Sequence, residues 1–335
     1  MSIAFPEPVM IETNGIRMAM HSQGSGPPVV LLHGFPELAF SWRHQLPALA
    51  AAGYRAIAPD LRGYGGTDKP ASVSDYAIDS LIADVTGLLD SLKLPRAFFI
   101  GHDWGALLLW QMSLVVPERI AGLIALNIPF LPRPSVDPVA YMRDRLGPDF
   151  YIVNFQDSSE ADQRFAEDPA RFIDRMMRRR PITRERFDSL PRKHKTVSLL
   201  ALLDRPTPAG EPLLDEEELS VYAAAFAKGG FTGPINWYRN WSRNWATSEH
   251  IEQRVRVPGL FIGATDDIVV SLAQIEAMRP YVDDLEIQII DNCGHWTQQE
   301  KPDELNERIL DWMHRRYPAG DPAIRPSSSR IPRRQ

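Results

Sequence analysis

The chain has 335 residues, 44% of them hydrophobic and 24% charged, with a net charge of −6. That size holds one large α/β domain or two smaller ones around a sizeable core, and the acidic balance argues against a dedicated nucleic-acid binder. The single cysteine excludes an internal disulfide, and no Cys-x-x-Cys or His-Glu-x-x-His spacing points to a metal, so none is expected.

In chain order, Met1–Glu7 lacks a basic stretch followed by an apolar one, so no secretory leader is expected. Pro28–Leu32 and Tyr54–Ala58 read as buried strands, with Ser41–Ala52 between them as a helix closed by Gly53. Residues 75–92 carry apolar side chains at helical spacing until Pro95. A strand over 97–100, a helix over 104–116 and a strand near 119–126 follow. The longest apolar runs, near 106–116 and 120–131, are too short to cross a bilayer. A cytoplasmic enzyme with no integral membrane segment is the expectation.

Residues 127–252 show no strand signal and read as an inserted helical cap, in which Asp215 and Glu218 make a capping-box start. The basic run Arg171, Arg175, Arg178, Arg179, Arg180 reads as a solvated helix face, with no nucleic-acid contact. Strands resume at Val257–Gly263 and Leu285–Ile290, then a helix over 302–317. The core is thus 1–126 plus 253–317, and 318–335 is expected to be a disordered basic tail. Alternating strands and helices imply a mostly parallel sheet with ligands beyond the carboxyl ends of its strands, where His33, Asp60 and Asp103 fall.

The segment Gly101-His102-Asp103-Trp104-Gly105 joins a strand to a helix through a glycine-flanked turn. This resembles the nucleophile elbow of α/β-hydrolases, G-x-S-x-G, with a carboxylate in place of serine. A carboxylate attacking a carbonyl yields an anhydride, a poor intermediate. On an activated saturated carbon it yields a stable alkyl ester, which points to epoxides or alkyl halides. Hydrolysing the ester needs a base and a group to orient it. His295 follows the last expected strand, and Asp267, with Asp266 as the alternative, follows the one before, giving the fold's order of nucleophile, acid, histidine. Phe35 and Trp104 would supply backbone N–H groups to an oxyanion hole. His33 then braces its loop, His102 points into packing, and Cys293 is buried filler.

His33-Gly34-Phe35-Pro36-Glu37, Arg62-Gly63-Tyr64-Gly65, the elbow, Asn236-Trp237-Tyr238-Arg239-Asn240 and Gly294-His295-Trp296-Thr297-Gln298 together resemble the soluble-type epoxide hydrolases of the α/β-hydrolase superfamily. The resemblance covers roughly residues 8–317; the phosphatase domain of the two-domain mammalian members has no counterpart. It implies an α/β-hydrolase fold with an inserted cap, a small-molecule epoxide as substrate, no cofactor, and two cap tyrosines that protonate the epoxide oxygen. Tyr238 is one. Tyr151 is the other, with Tyr141 as its rival. On a helical wheel Tyr238 shares an aromatic face with Trp237, Trp241 and Trp245. The alternatives are a haloalkane or haloacid dehalogenase using the same Asp103, and a catalytically idle receptor, which the complete triad argues against. Oligomeric state, a homodimer included, stays open.

Overall fold

The computed structural model describes residues 5–179, 182–191 and 195–317. The expected tail at 318–335 and Arg180 of the basic run lie outside them. An eight-stranded sheet runs β1 (Val9–Thr13), β2 (Ile16–Gln23), β4 (Arg55–Pro59), β3 (Pro28–Leu32), β5 (Ala97–His102), β6 (Ile120–Leu126), β9 (Gly259–Ala264), β10 (Leu285–Ile290) in spatial order. All neighbours pair parallel except β1 with β2 and β2 with β4. The strands β7 (Arg178–Arg179) and β8 (Glu211–Pro212) form a separate antiparallel pair.

The β1–β2 hairpin is an addition to the sequence reading. Asn14 and Gly15 take φ of 42° and 75°, the two left-handed residues that a tight hairpin turn with the sheet's own twist demands. The central strands are buried on both faces, as parallel strands under two helical layers must be. Val30, Leu32, Phe99 and Leu123 face α2 (Ile78–Ser91) and α3 (Trp104–Val115). Alternate residues Val29, Leu31, Phe98 and Ile124 face α1 (Gln45–Ala51) and α15 (Pro302–Arg316). The helix expected over 41–52 is broken: a 3-10 turn at Ala39–Trp42 precedes α1. Pro47 has no N–H to donate to the Arg43 carbonyl four residues back, so an unbroken helix is barred.

Between β6 and β9 stand α4 (Pro138–Leu146), α5 (Tyr151–Asp157), α6 (Glu160–Glu167), α7 (Pro169–Met176), α8 (Arg184–Ser189), α9 (Leu199–Asp204), α10 (Glu216–Gly229), α11 (Thr232–Arg239) and α12 (Trp241–Thr247). The capping box at Asp215 and Glu218 forms. The β7–β8 pair corrects the expectation that this stretch holds no strand. The basic run is also not a solvated helix face. Arg171, Arg175 and Arg178 donate to the carbonyls of Leu203, Pro206 and Gly210, and the latter two arginines are buried. The last turn of α9 and the connection after it leave those carbonyls without a ladder, and guanidinium groups satisfy them. The shared aromatic face divides as well. The chain bends at Asn240, and Trp245 turns outward, donating to the Pro134 carbonyl under the Arg133 guanidinium. After β9 come α13 (Leu272–Ala277) and, after β10, α14 (Thr297–Glu300).

Candidate active site

Three strand ends meet at one edge of the sheet. Asp103 follows β5, Asp267 lies in the loop after β9 and His295 in the loop after β10, and the order β5-β6-β9-β10 makes these loops neighbours. Asp103 sits at φ 51° and ψ −117°, a conformation side-chain-bearing residues rarely hold, so the turn stores strain at its tip. Its flanking glycines permit the approach: a Cβ on Gly105 would overlap the Leu32 carbonyl oxygen of β3, and one on Gly101 the backbone of Gly105.

The Phe35 N–H donates to Asp103 Oδ1 at 2.8 Å. Trp104 opens α3, so its N–H has no acceptor within the helix. Asp103 Oδ2 lies 3.6 Å from His295 Nε2, an ion-pair contact longer than a hydrogen bond. His295 Nδ1 donates to Asp267 Oδ2 at 3.0 Å. The alternative, Asp266, instead faces the Arg184 N–H at 3.4 Å. Burial disfavours the imidazolium, but the Asp267 and Asp103 carboxylates outweigh it and lift His295 to about 10. Burial also opposes the Asp267 carboxylate, yet His295 and the donors Val269 N–H and Asn127 Nδ2 hold it below the usual range.

Tyr238 is buried with its ring edge-on to Phe35 (5.3 Å) and Trp104 (5.0 Å), and Tyr151 packs against it at 5.7 Å. Burial pushes both phenols above their ordinary range, and the Asp103 charge adds to it. Both therefore stay protonated at neutral pH and can donate. Tyr141 is 53% exposed beneath the Arg145 guanidinium and joins none of this. The two tyrosines are held in place: Gln156 Nε2 donates to the Tyr238 carbonyl, joining α5 to α11, and Trp237 Nε1 donates to the Arg62 carbonyl, anchoring α11 on the core.

Behind Asp103 lies support that sequence reasoning missed. Glu37 is wholly buried and accepts from the Gly34 N–H, His102 Nδ1 and Gln298 Nε2 at 2.9, 2.7 and 2.7 Å. Burial opposes its charge, but His102 beside it draws the carboxyl down to about 2. His102 Nε2 reaches the His295 carbonyl at 2.8 Å, so it braces the His295 loop rather than merely packing. Both Glu37 and Gln298 stood in recognisable motifs without an assigned role. Asn127 follows β6, where the strand-end rule could have found it. His33 braces its loop, accepting from the Leu61 N–H at 3.0 Å, and Asp60 does likewise for the Ala39 and Gly66 N–H groups. Cys293 is buried, and burial raises its thiol to about 12. Among the described residues there is no metal-ligating cluster, and no helix is long and apolar enough to cross a membrane.

Residues 27–302 match the family described as alpha/beta hydrolase fold. Epoxide hydrolase A of Mycobacterium tuberculosis is 42% identical over 92% of this chain and 97% of its own length. Bifunctional epoxide hydrolase 2 of Mus musculus is 38% identical over 89% of this chain, which spans 54% of that longer protein. The crystal structure of Epoxide Hydrolase A from Mycobacterium thermoresistibile superposes with a TM-score of 0.84 at 40% identity, covering 92% of this chain and 98% of that one. The parallel sheet, the carboxylate elbow and these similarities agree: the chain belongs to the α/β-hydrolase fold family and, within it, to the epoxide hydrolases.

Proposed function

We propose that this protein converts a small-molecule epoxide and water to a vicinal diol through an ester on Asp103. The observation that carries the reading is a carboxylate elbow with two protonated phenols packed over it and a His295–Asp267 pair beside it. Phe35 N–H engages Oδ1, which leaves Oδ2 as the attacking atom. Oδ2 displaces the ring oxygen from carbon, and Tyr151 and Tyr238 deliver a proton to the departing alkoxide. An alkoxide is a strong base, so a phenolic donor suits it; a departing halide needs no proton, and this weighs against the dehalogenase reading.

Forming the ester removes the Asp103 charge that had helped protonate His295. The imidazolium can then restore the phenol and become a base at the point where a base is required. Neutral His295, oriented by Asp267, takes a proton from water, and the hydroxide adds to the ester carbon. The negative charge develops on Oδ1 against the Phe35 and Trp104 N–H groups. Collapse expels the diol, which keeps Oδ2, while Asp103 acquires the water oxygen. Residues 127–252 would serve as the lid that carries the phenols and excludes bulk water. This chemistry calls for no cofactor.

Single turnover with enzyme in excess in H₂¹⁸O tests the scheme. The first diol should be unlabelled, with the label entering Asp103. Label in the diol on that first turnover refutes the ester.

A further inference from the structure

We propose that Asn127 is a positioning residue for the water-activating pair: its amide fixes which Asp267 oxygen meets His295 and ties the acid loop to the base loop. This rests on the function proposed above. Asn127 is 1% exposed and stands between the strands that deliver nucleophile and acid. Its φ is 65°, a left-handed conformation that asparagine tolerates better than most residues, and its N–H extends the β6–β9 ladder to the Ile262 carbonyl at 3.0 Å.

From that fixed backbone, Nδ2 donates to Asp267 Oδ2 at 2.9 Å and lies 3.4 Å from the carbonyl of Gly294, the residue before His295. Oδ2 is the same oxygen that accepts from His295 Nδ1. The reverse amide orientation would set oxygen against carboxylate oxygen, so this one is held although Asn127 Oδ1 is left buried without a partner. Sharing Oδ2 with a second donor weakens its grip on the imidazolium proton, which helps His295 become a base once the ester has formed. The other titratable or charged groups facing the pair are Asp103 and His102 on the elbow, Asp266 on the acid loop, Tyr151 on α5, and Arg184, whose guanidinium meets the Asp267 carbonyl at 3.1 Å.

Two variants test this. Asn127→Gly removes the amide and keeps the positive φ without strain; Asn127→Asp keeps size and shape but sets a second carboxylate against Asp267. Styrene oxide is the probe, and rapid-quench mass spectrometry follows formation and decay of the enzyme adduct as pH is varied. Adduct formation should stay near the wild-type rate, while decay slows roughly 10- to 100-fold in Asn127→Gly. The pH midpoint of decay should move upward, and further in Asn127→Asp. Wild-type decay and midpoint in both variants overturn the assignment, and so does slowed decay with no movement of the midpoint, which a purely structural residue would give. An adduct that forms in neither wild type nor His295→Gln sinks the ester chemistry itself, and with it this role.

Discussion

Neutralising Asp103 should change the proton affinity of His295 beside it. Asp103→Asn removes a charge 3.6 Å from His295 Nε2, with both side chains 15% exposed. At an effective dielectric constant of about 20, that charge is worth about 4.6 kcal/mol to the imidazolium, or a little over three pKa units. His295 stands at about 10 under two carboxylates, so the variant should titrate at about 7, held up by Asp267 alone. The assay is an NMR titration of ring-labelled histidine, with His295 assigned by its loss in His295→Gln. Stability follows with a definite sign. A raised histidine stabilises the fold fully below its ordinary value near 6.5, and the contribution disappears as pH climbs through about 10. Thermal midpoints of the wild type should therefore fall between those limits, and those of Asp103→Asn should fall earlier and by less. A midpoint near 10 retained in the variant would refute the coupling, and with it the timing of base release.

Replacing both Tyr151 and Tyr238 by Phe should slow ester formation by about 10²- to 10⁴-fold, leaving decay of an ester already formed unchanged; pre-steady-state adduct measurements that show no slowing would remove the phenols from the chemistry. Gly105→Ala pushes a methyl group into the Leu32 carbonyl of β3, which the packed sheet cannot yield to. A destabilisation of about 2–4 kcal/mol is expected, read as a lowered thermal midpoint or loss of soluble protein, and a wild-type midpoint would contradict the elbow packing.

The α/β architecture and the elbow were legible because their signals are local. A buried parallel strand is a short apolar run, its helix repeats every 3.6 residues, and a glycine-flanked turn must sit between them. The Asn14-Gly15 turn was equally local, and the missed β1–β2 hairpin was within reach of sequence reasoning. Arg175 and Arg178 could not have been placed that way, because their burial depends on carbonyls some thirty residues further along the chain.

By itself the sequence determined the kind of side chain at the tip of the elbow, the order in which the candidate groups occur, and the alternation that builds a mostly parallel sheet. Tertiary structure alone decided which groups meet. It turned Asp267 and not Asp266 toward His295, brought Tyr151 rather than Tyr141 beside Tyr238, set Glu37 against His102 and Gln298, and set Asn127 against Asp267. Each of those outcomes is a contact across tens to hundreds of residues. Spacing along the chain cannot encode such contacts, because they depend on how strands order in the sheet and where the inserted helices come to rest.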